Sequence, residues 1–282
     1  FPSEKVSYLA ADATKNLISQ IIDPTGGIND LKKKSIRFIS ETNLRDDPVR
    51  ILRAFRFAAE LGFSISKKTI SSAERLRREI TRAPAERIRD ELLKIQDTSE
   101  AARTLAVLEN ASILEMLIPE ITSLKKSCRK YYFHPKGLWH HITETLKRLE
   151  EYTSVINGNF PDSAAELKRY LDEKISSGTR RALLKLATIL HDSAKPLCMR
   201  RVEGRIRFFG HEIMGAQIFQ EVGRRMKLSR DEITFGSVLI KNHMRILQLV
   251  GNNSVTERAV YRLKNEMGSH FPALCLLSLS DA

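Results

Sequence analysis

Asp47-Pro48-Val49-Arg50-Ile51-Leu52-Arg53-Ala54-Phe55-Arg56-Phe57 is where the pattern of this chain changes. Before it lie short apolar runs broken by turn signals; from it onward apolar residues recur with the 3.6-residue period of a helix. An aspartate followed by proline reads as a helix start, the carboxylate serving free backbone N–H groups and the ring already holding the first helical φ. Gly62 stands where the helix should stop. The same period predicts helices over 48–61, 67–79, 84–95, 99–108 and 110–116, and it resumes near Leu138 and dominates to the end. The fold class is therefore mostly α. Upstream, the runs Leu17 to Ile22 and Ser35 to Ser40 flank Asp23-Pro24-Thr25-Gly26-Gly27, which reads as a hairpin-like β edge, a short remnant of a sheet.

At 282 residues, 42% hydrophobic and 29% charged, the chain has the size and composition of one or two folded domains rather than of a disordered or fibrous protein. No run of 18 or more apolar residues and no secretory leader is present, so the chain is expected to be cytoplasmic with no membrane partner. Cys128, Cys198 and Cys275 are too few and too widely spaced for a disulfide framework or a CxxC zinc site. Forty-seven lysines and arginines against 34 acids give a net charge of +13, an electrostatic footprint suited to phosphate backbones. The basic residues are interspersed, which predicts a folded basic surface rather than a tail. The stretch Lys125 to His134 mixes cations with Tyr131, Tyr132 and Phe133, a composition able to hold phosphates and stack on unpaired bases, or simply to form a basic loop packed beneath a second domain. The segment from Thr153 to Gly178 carries turn signals and is expected to be a surface excursion with one polar helix.

On the helix that opens at Asp47, a 100° step puts Arg50, Arg53 and Arg56 on one stripe, with Leu52, Phe55 and Ala59 roughly opposite. A solvated face with Asp47 as a cap would account for this. The sharper reading is a nucleotide-facing or RNA-facing surface, because guanidinium forks suit phosphate oxygens and the acceptor edges of bases, and a carboxylate one turn earlier accepts from base amino groups.

The block Leu44 to Phe57, preceded by Ile22-Asp23-Pro24-Thr25-Gly26-Gly27-Ile28-Asn29-Asp30-Leu31 and followed by Ala85-Glu86-Arg87-Ile88-Arg89-Asp90-Glu91-Leu92, resembles the neck region of class II tRNA nucleotidyltransferases and bacterial poly(A) polymerases. The resemblance implies a template-independent enzyme that adds CCA or A from CTP and ATP to the 3′ end of tRNA or another RNA. It further implies that Asp47 and Arg50 read the incoming base, with Arg53 and Arg56 near the nucleotide, and that a Mg- or Mn-type divalent ion serves the transfer. Family members carry the transfer carboxylates as Asp-x-Asp after a Gly-Ser. No Asp-x-Asp occurs in these 282 residues, and Gly236-Ser237 and Gly268-Ser269 lack the following acids, so the chain as it stands is expected not to polymerise. It begins at Phe1 rather than Met, consistent with a longer polypeptide whose metal-bearing head half lies elsewhere.

Further along, His141, His191-Asp192, His211, His243 and Asp281 fall in five helical segments, in the order that resembles the ligand pattern of the HD phosphohydrolase superfamily. Imidazole nitrogens plus carboxylate oxygens form a mixed set suited to a divalent ion whose identity the sequence leaves open, with positions left for water and phosphate. Asp192 and Lys195 are the candidate catalytic residues, Lys195 lying four residues after His191 and able to neutralise a phosphate oxygen. His134, His140 and His270 read as structural. The resemblance divides the chain into a head remnant (1–42), a helical neck and body (43–120) and an HD domain (121–282). Two rival functions stand beside nucleotide addition: a metal-dependent phosphohydrolase acting on 2′,3′-cyclic or 2′-phosphates of RNA or nucleotides, and a non-catalytic RNA-binding module.

Overall fold

The computed structural model describes residues 21–127, 136–159, 161–251 and 255–282. The basic aromatic segment from Cys128 to Pro135, with Tyr131, Tyr132, Phe133 and His134, lies outside the described residues, as does the run from Leu17 to Gln20. The architecture is helical: α1 (Gly27–Lys32), α2 (Thr42–Asp46), α3 (Val49–Leu61), α4 (Lys67–Arg75), a 3-10 segment (Arg77–Arg82), α5 (Ala85–Asp97), α6 (Ala101–Asn110), α7 (Leu114–Leu117) and α8 (Ile121–Lys126) form the first part. α9 (Leu138–Asn159), α10 (Pro161–Asp172), α11 (Arg180–Leu190), α12 (Lys195–Cys198), α13 (His211–Arg225), α14 (Arg230–Gly251), α15 (Glu257–Met267) and α16 (Phe271–Asp281) form the second. The only sheets among the described residues are two-stranded: β1 (Ser35–Ile36) with β2 (Ser64–Ile65), β3 (Lys174–Ile175) with β4 (Gly178–Thr179), and β5 (Arg200–Val202) with β6 (Arg205–Arg207).

The Asp23-to-Gly27 motif does not turn a hairpin. The Asp23 carboxylate accepts hydrogen bonds from the backbone of Gly27 (2.7 Å) and Ile28 (2.8 Å), so the motif starts α1, and Gly26 supplies the left-handed φ of 78° that the entry needs. β1 instead pairs in parallel with β2, across the whole length of α3. Nor do Asn157, Gly158 and Asn159 interrupt the chain as the turn signals predict: α9 continues through them.

α3 ends as expected, with Gly62 at φ 64°. Its apolar face (Ile51, Leu52, Phe55) packs on α5, whose Leu92 and Ile95 are fully buried, and α5 in turn packs on α11. One hydrophobic cluster runs from Leu44 to Leu277. The boundary expected near residue 120 falls inside that cluster, between Leu117 and Leu124, both buried. Where α13 crosses α14 the backbones meet at Gly236: a Cβ there would lie 2.1 Å from the Phe219 ring, which is why this position carries no side chain.

Candidate metal centre and base-reading surface

α11 is buried along its length from Ala182 to Leu190, and Thr179 caps it by accepting from the Ala182 N–H (3.1 Å). The helix ends at Leu190, earlier than a stop at Pro196 would give, and Ser193 N–H to the Leu190 carbonyl (3.0 Å) closes a turn that aims His191 and Asp192 inward. Lys195 starts a new short helix after that turn; its Nζ lies 2.6 Å from Asp192 Oδ2. Gly210 (φ 78°) starts α13 with His211 as its first residue. His243 lies in the middle of α14, Asp281 at the end of the apolar α16, and His141 in the first turn of α9.

Six residues from five helical segments thus meet. His141, His191, Asp192 and Asp281 form one group, and Asp192, His211 and His243 a second, the ligand atoms within each lying within 4.8 Å of one another and Asp192 belonging to both. His141 Nε2 is 2.8 Å and His191 Nε2 3.1 Å from Asp281 Oδ1; His211 Nε2 and His243 Nε2 are 3.5 Å and 3.7 Å from Asp192 Oδ1. His140, by contrast, is exposed, and His270 packs against Phe235, so neither joins the cluster.

Three imidazoles are held in the same way. His191, His211 and His243 each donate Nδ1–H to the carbonyl three residues earlier (Thr188, Phe208 and Ile240), all at 2.7 Å. Only a ring N–H can donate to a carbonyl, so each ring turns its Nε2 into the cluster, the nitrogen that can hold a metal ion once it is deprotonated. Asp192 Oδ1, His211 Nε2 and His243 Nε2 are buried without a hydrogen-bond donor. Lone pairs that face one another in a dry site need a cation, and nitrogen and carboxylate donors in this number fit a divalent ion. The electrostatics agree. Burial alone would push His191 down, yet the Asp192 and Asp281 carboxylates outweigh it and hold the group up at about 10. His243 is pushed down to about 4 by burial and by the charge on His191. Burial opposes ionisation of Asp281, but His191 and His141 hold it well below the usual carboxylate range. The site is built for positive charge.

The arginine helix is arranged differently from the stripe the period predicts. Asp47 does not cap α3; Pro48 stands at that place without a side-chain cap, and the Asp47 carboxylate pairs with Arg87 on α5 (Oδ1 to Nη1 3.0 Å, Oδ2 to Nη2 3.0 Å) and with Arg50 Nε (3.5 Å). The Arg87 hydrogen bond holds Asp47 below its ordinary pKa, against a smaller opposing effect of burial. Arg50 is exposed and Asp47 half-buried. Arg56 is not part of the open face: its side chain is 14% exposed, its Nε lies 2.9 Å from Glu91 Oε2, and its guanidinium covers the Phe57 ring. Arg53 lies between these cases, 3.5 Å from Glu91 Oε1 and 39% exposed. Arg87 and Glu91, one helical turn apart on α5, organise this surface; their pairing with α3 bridges about 40 residues of sequence, which periodicity within one helix does not register.

Comparison with known proteins bears on the fold and on the family resemblance. Residues 62–125 match the family model described as "Probable RNA and SrmB- binding site of polymerase A". The A-adding tRNA nucleotidyltransferase of Deinococcus radiodurans is 30% identical over 282 residues, 96% of this chain and 58% of that protein. A multifunctional CCA protein of Xylella fastidiosa is 28% identical over 263 residues, 92% of this chain and 55% of its own length. This chain resembles the tRNA nucleotidyltransferases. It spans about half the length of the curated relatives it matches. Among solved structures, a CCA-adding enzyme in complex with ATP superposes with a TM-score of 0.57 at 21% identity, covering 91% of this chain and 49% of that one. The Thermotoga maritima CCA-adding enzyme complexed with tRNA gives 0.58 at 21% identity, covering 91% and 50%. The helical fold is thus shared with CCA-adding enzymes. Among the described residues no helix is long and apolar enough to cross a membrane.

Proposed function

We propose that this chain is the nucleotide-selecting and RNA-holding part of a template-independent nucleotidyltransferase that adds CCA or A to the 3′ end of tRNA or a related RNA. The observation that carries the reading is the Asp47–Arg50 pair at the start of α3, with Arg50 exposed and the half-buried Asp47 held in place by Arg87. A carboxylate fixed by one arginine keeps lone pairs for a base amino group, and the neighbouring exposed guanidinium donates to ring acceptors; cytosine and adenine each offer that amino–acceptor edge. Arg53 is placed to reach phosphate, and Arg56 braces Glu91 beneath. A Mg- or Mn-type ion would serve the transfer on carboxylates outside this chain, in the cytoplasm where tRNA is processed. The residues fall into a head remnant to 42, a neck and body to 120 and an HD domain from 121. Joining the chain to a catalytic head bearing Gly-Ser and Asp-x-Asp, with tRNA lacking its 3′ end and labelled ATP or CTP, should give addition at the 3′ terminus. Asp47→Ala should admit the wrong bases. Addition that is indifferent to Asp47 and Arg50 would refute the assignment.

A second reading is favoured by the histidine–aspartate cluster: a phosphohydrolase acting on 2′,3′-cyclic or 2′-phosphates of RNA. His141, His191, Asp192 and Asp281 would hold one divalent ion and Asp192, His211 and His243 another. Such ions polarise a phosphoryl oxygen and lower the pKa of bound water. Asp192 positions the cluster, the three backbone-tied imidazoles keep their Nε2 atoms inward, and Lys195 lies beside Asp192 to neutralise charge on the phosphate. Metal-dependent opening of a 2′,3′-cyclic phosphate to a monoester, or release of a 2′-phosphate, that His191→Ala abolishes would support this activity; a chain that never takes up a divalent ion would exclude it.

A further inference from the structure

Exposed arginines stand at the mouth of the histidine–aspartate cluster. β5 and β6 pair so that Arg200 faces Arg207, Arg201 faces Ile206 and Val202 faces Arg205. Side chains alternate along a strand, so Arg200, Arg205 and Arg207 share one face while Ile206 packs on the core. All four arginines are exposed, and none takes part in an ion pair among the described residues. Like charges set directly opposite one another weaken a strand pair, and a lone two-stranded hairpin has little stability to spare. The loop is short and fixed, Glu203 (φ 50°) and Gly204 (φ 76°) both left-handed, as a tight two-residue turn requires. Phe209, immediately after the hairpin, is 67% exposed. A cavity of about 420 Å³ is lined by Arg207, Phe208 and Phe209 on one side and by His141, Lys195 and Asp281 on the other, so the arginine face runs directly into the cluster.

We propose that the β5–β6 hairpin is the docking arm for a single-stranded RNA end that enters the histidine–aspartate cluster, which makes a strand rather than a free mononucleotide its substrate class. The arginines hold successive phosphates, relieving their mutual repulsion, Phe209 stacks on a base, and the terminal phosphate lies in the cavity. An anionic membrane would satisfy the arginines and the exposed Phe209 but would leave the cavity unused, which is why the strand is the better occupant. The proposal rests on the hydrolase reading, and its test separates the two.

The chain, freed of divalent ions with EDTA so that nothing is cleaved, is titrated with a fluorescent single-stranded RNA ending in a 2′,3′-cyclic phosphate. Arg200→Ser/Arg207→Ser should weaken binding roughly tenfold and shrink the salt slope by about 1.4, two phosphate contacts at about 0.7 each. Its thermal stability should be unchanged or slightly raised, because the opposed charges are gone. Arg169→Ser/Arg258→Ser, on other exposed surfaces, should leave affinity and slope nearly as they were. Unchanged RNA affinity in the hairpin variant overturns the proposal. So does a cyclic mononucleotide bound as tightly and with the same hairpin dependence, or anionic phosphatidylserine vesicles that lose binding in this variant while RNA does not. Metal uptake is measured separately: hairpin-dependent RNA binding by a chain that takes up no ion sustains the arm and sinks the hydrolase reading alone.

Discussion

Arg87 takes the carboxylate that the start of α3 would otherwise use as a cap, and this single exchange turns Asp47 from a helix cap into a half-buried carboxylate fixed beside the exposed Arg50. Because Asp47 sits below its ordinary 3.8, it is ionised at every pH above that value, and its tie to Arg87 is lost only as pH falls through the lowered pKa. Nucleotide discrimination by this surface should therefore be flat from about pH 5 to pH 8; a titration of ATP and CTP binding across that range checks it, and a midpoint near neutrality would mean another group reads the base. Arg87→Gln frees the carboxylate to swing and should cost about tenfold in discrimination with little change in stability, since the pair is partly exposed. At this scale the sequence was informative where chemistry is local. Asp47 and Arg50 stand one turn apart, and the order of His141, His191, Asp192, His211, His243 and Asp281 was itself a pattern. Arg87 and the three Nδ1–H ties were not legible, because their partners are a distant helix and backbone carbonyls whose directions depend on the fold.

Helix boundaries followed from period and punctuation wherever a helix buries one face, as α3 does between Pro48 and Gly62. They failed at Asp23-Pro24-Thr25-Gly26-Gly27, where the residues that favour a hairpin turn also favour a helix start, and only the donors of Gly27 and Ile28 decide between them. They failed again at Asn157 to Asn159, where α9 continues through residues of weak helix propensity. Two predictions belong to the packing of elements. Gly236→Ala would drive a Cβ into the Phe219 ring at the α13–α14 crossing and should destabilise the chain by about 3 kcal/mol in urea unfolding, with Phe219→Leu in the same chain restoring part of it. Lys185 on α11 and Glu150 on α9 form a buried pair at 2.6 Å, while Glu150 also accepts from the Ala101 and Ala102 N–H groups that open α6. Burial raises Glu150 and lowers Lys185 despite their attraction, so each charge depends on the other. Lys185→Met should cost about 3 kcal/mol, and adding Glu150→Gln should recover more than half, because the amide oxygen still accepts from α6 without a stranded charge. Equal losses in the single and double variants would show that the pair is not what holds these helices.

Across the molecule, one continuous core links the proposed base-reading surface on α3 and α5 to the histidine–aspartate cluster on α9, α11, α13, α14 and α16, through the contact of α5 with α11. Ions bound by the cluster should consequently stabilise the whole chain rather than its second half. At Mn²⁺ a hundredfold above its dissociation constant each bound ion contributes about 2.7 kcal/mol, which for a chain of this length raises the melting temperature by roughly 5 °C per ion in one cooperative transition. Two ions per chain are expected, with His211→Ala reducing the count to one because Asp192 still serves the first group. A separate low-temperature transition that ignores the metal would mean the two parts unfold independently. The central claim is that acid and arginine at the start of α3 choose the base, and equilibrium binding of the four nucleoside triphosphates to this chain tests it most directly. ATP and CTP should bind about tenfold more tightly than GTP and UTP, with the preference lost in Asp47→Ala. Equal affinity for all four, or a preference that survives Asp47→Ala, would contradict it.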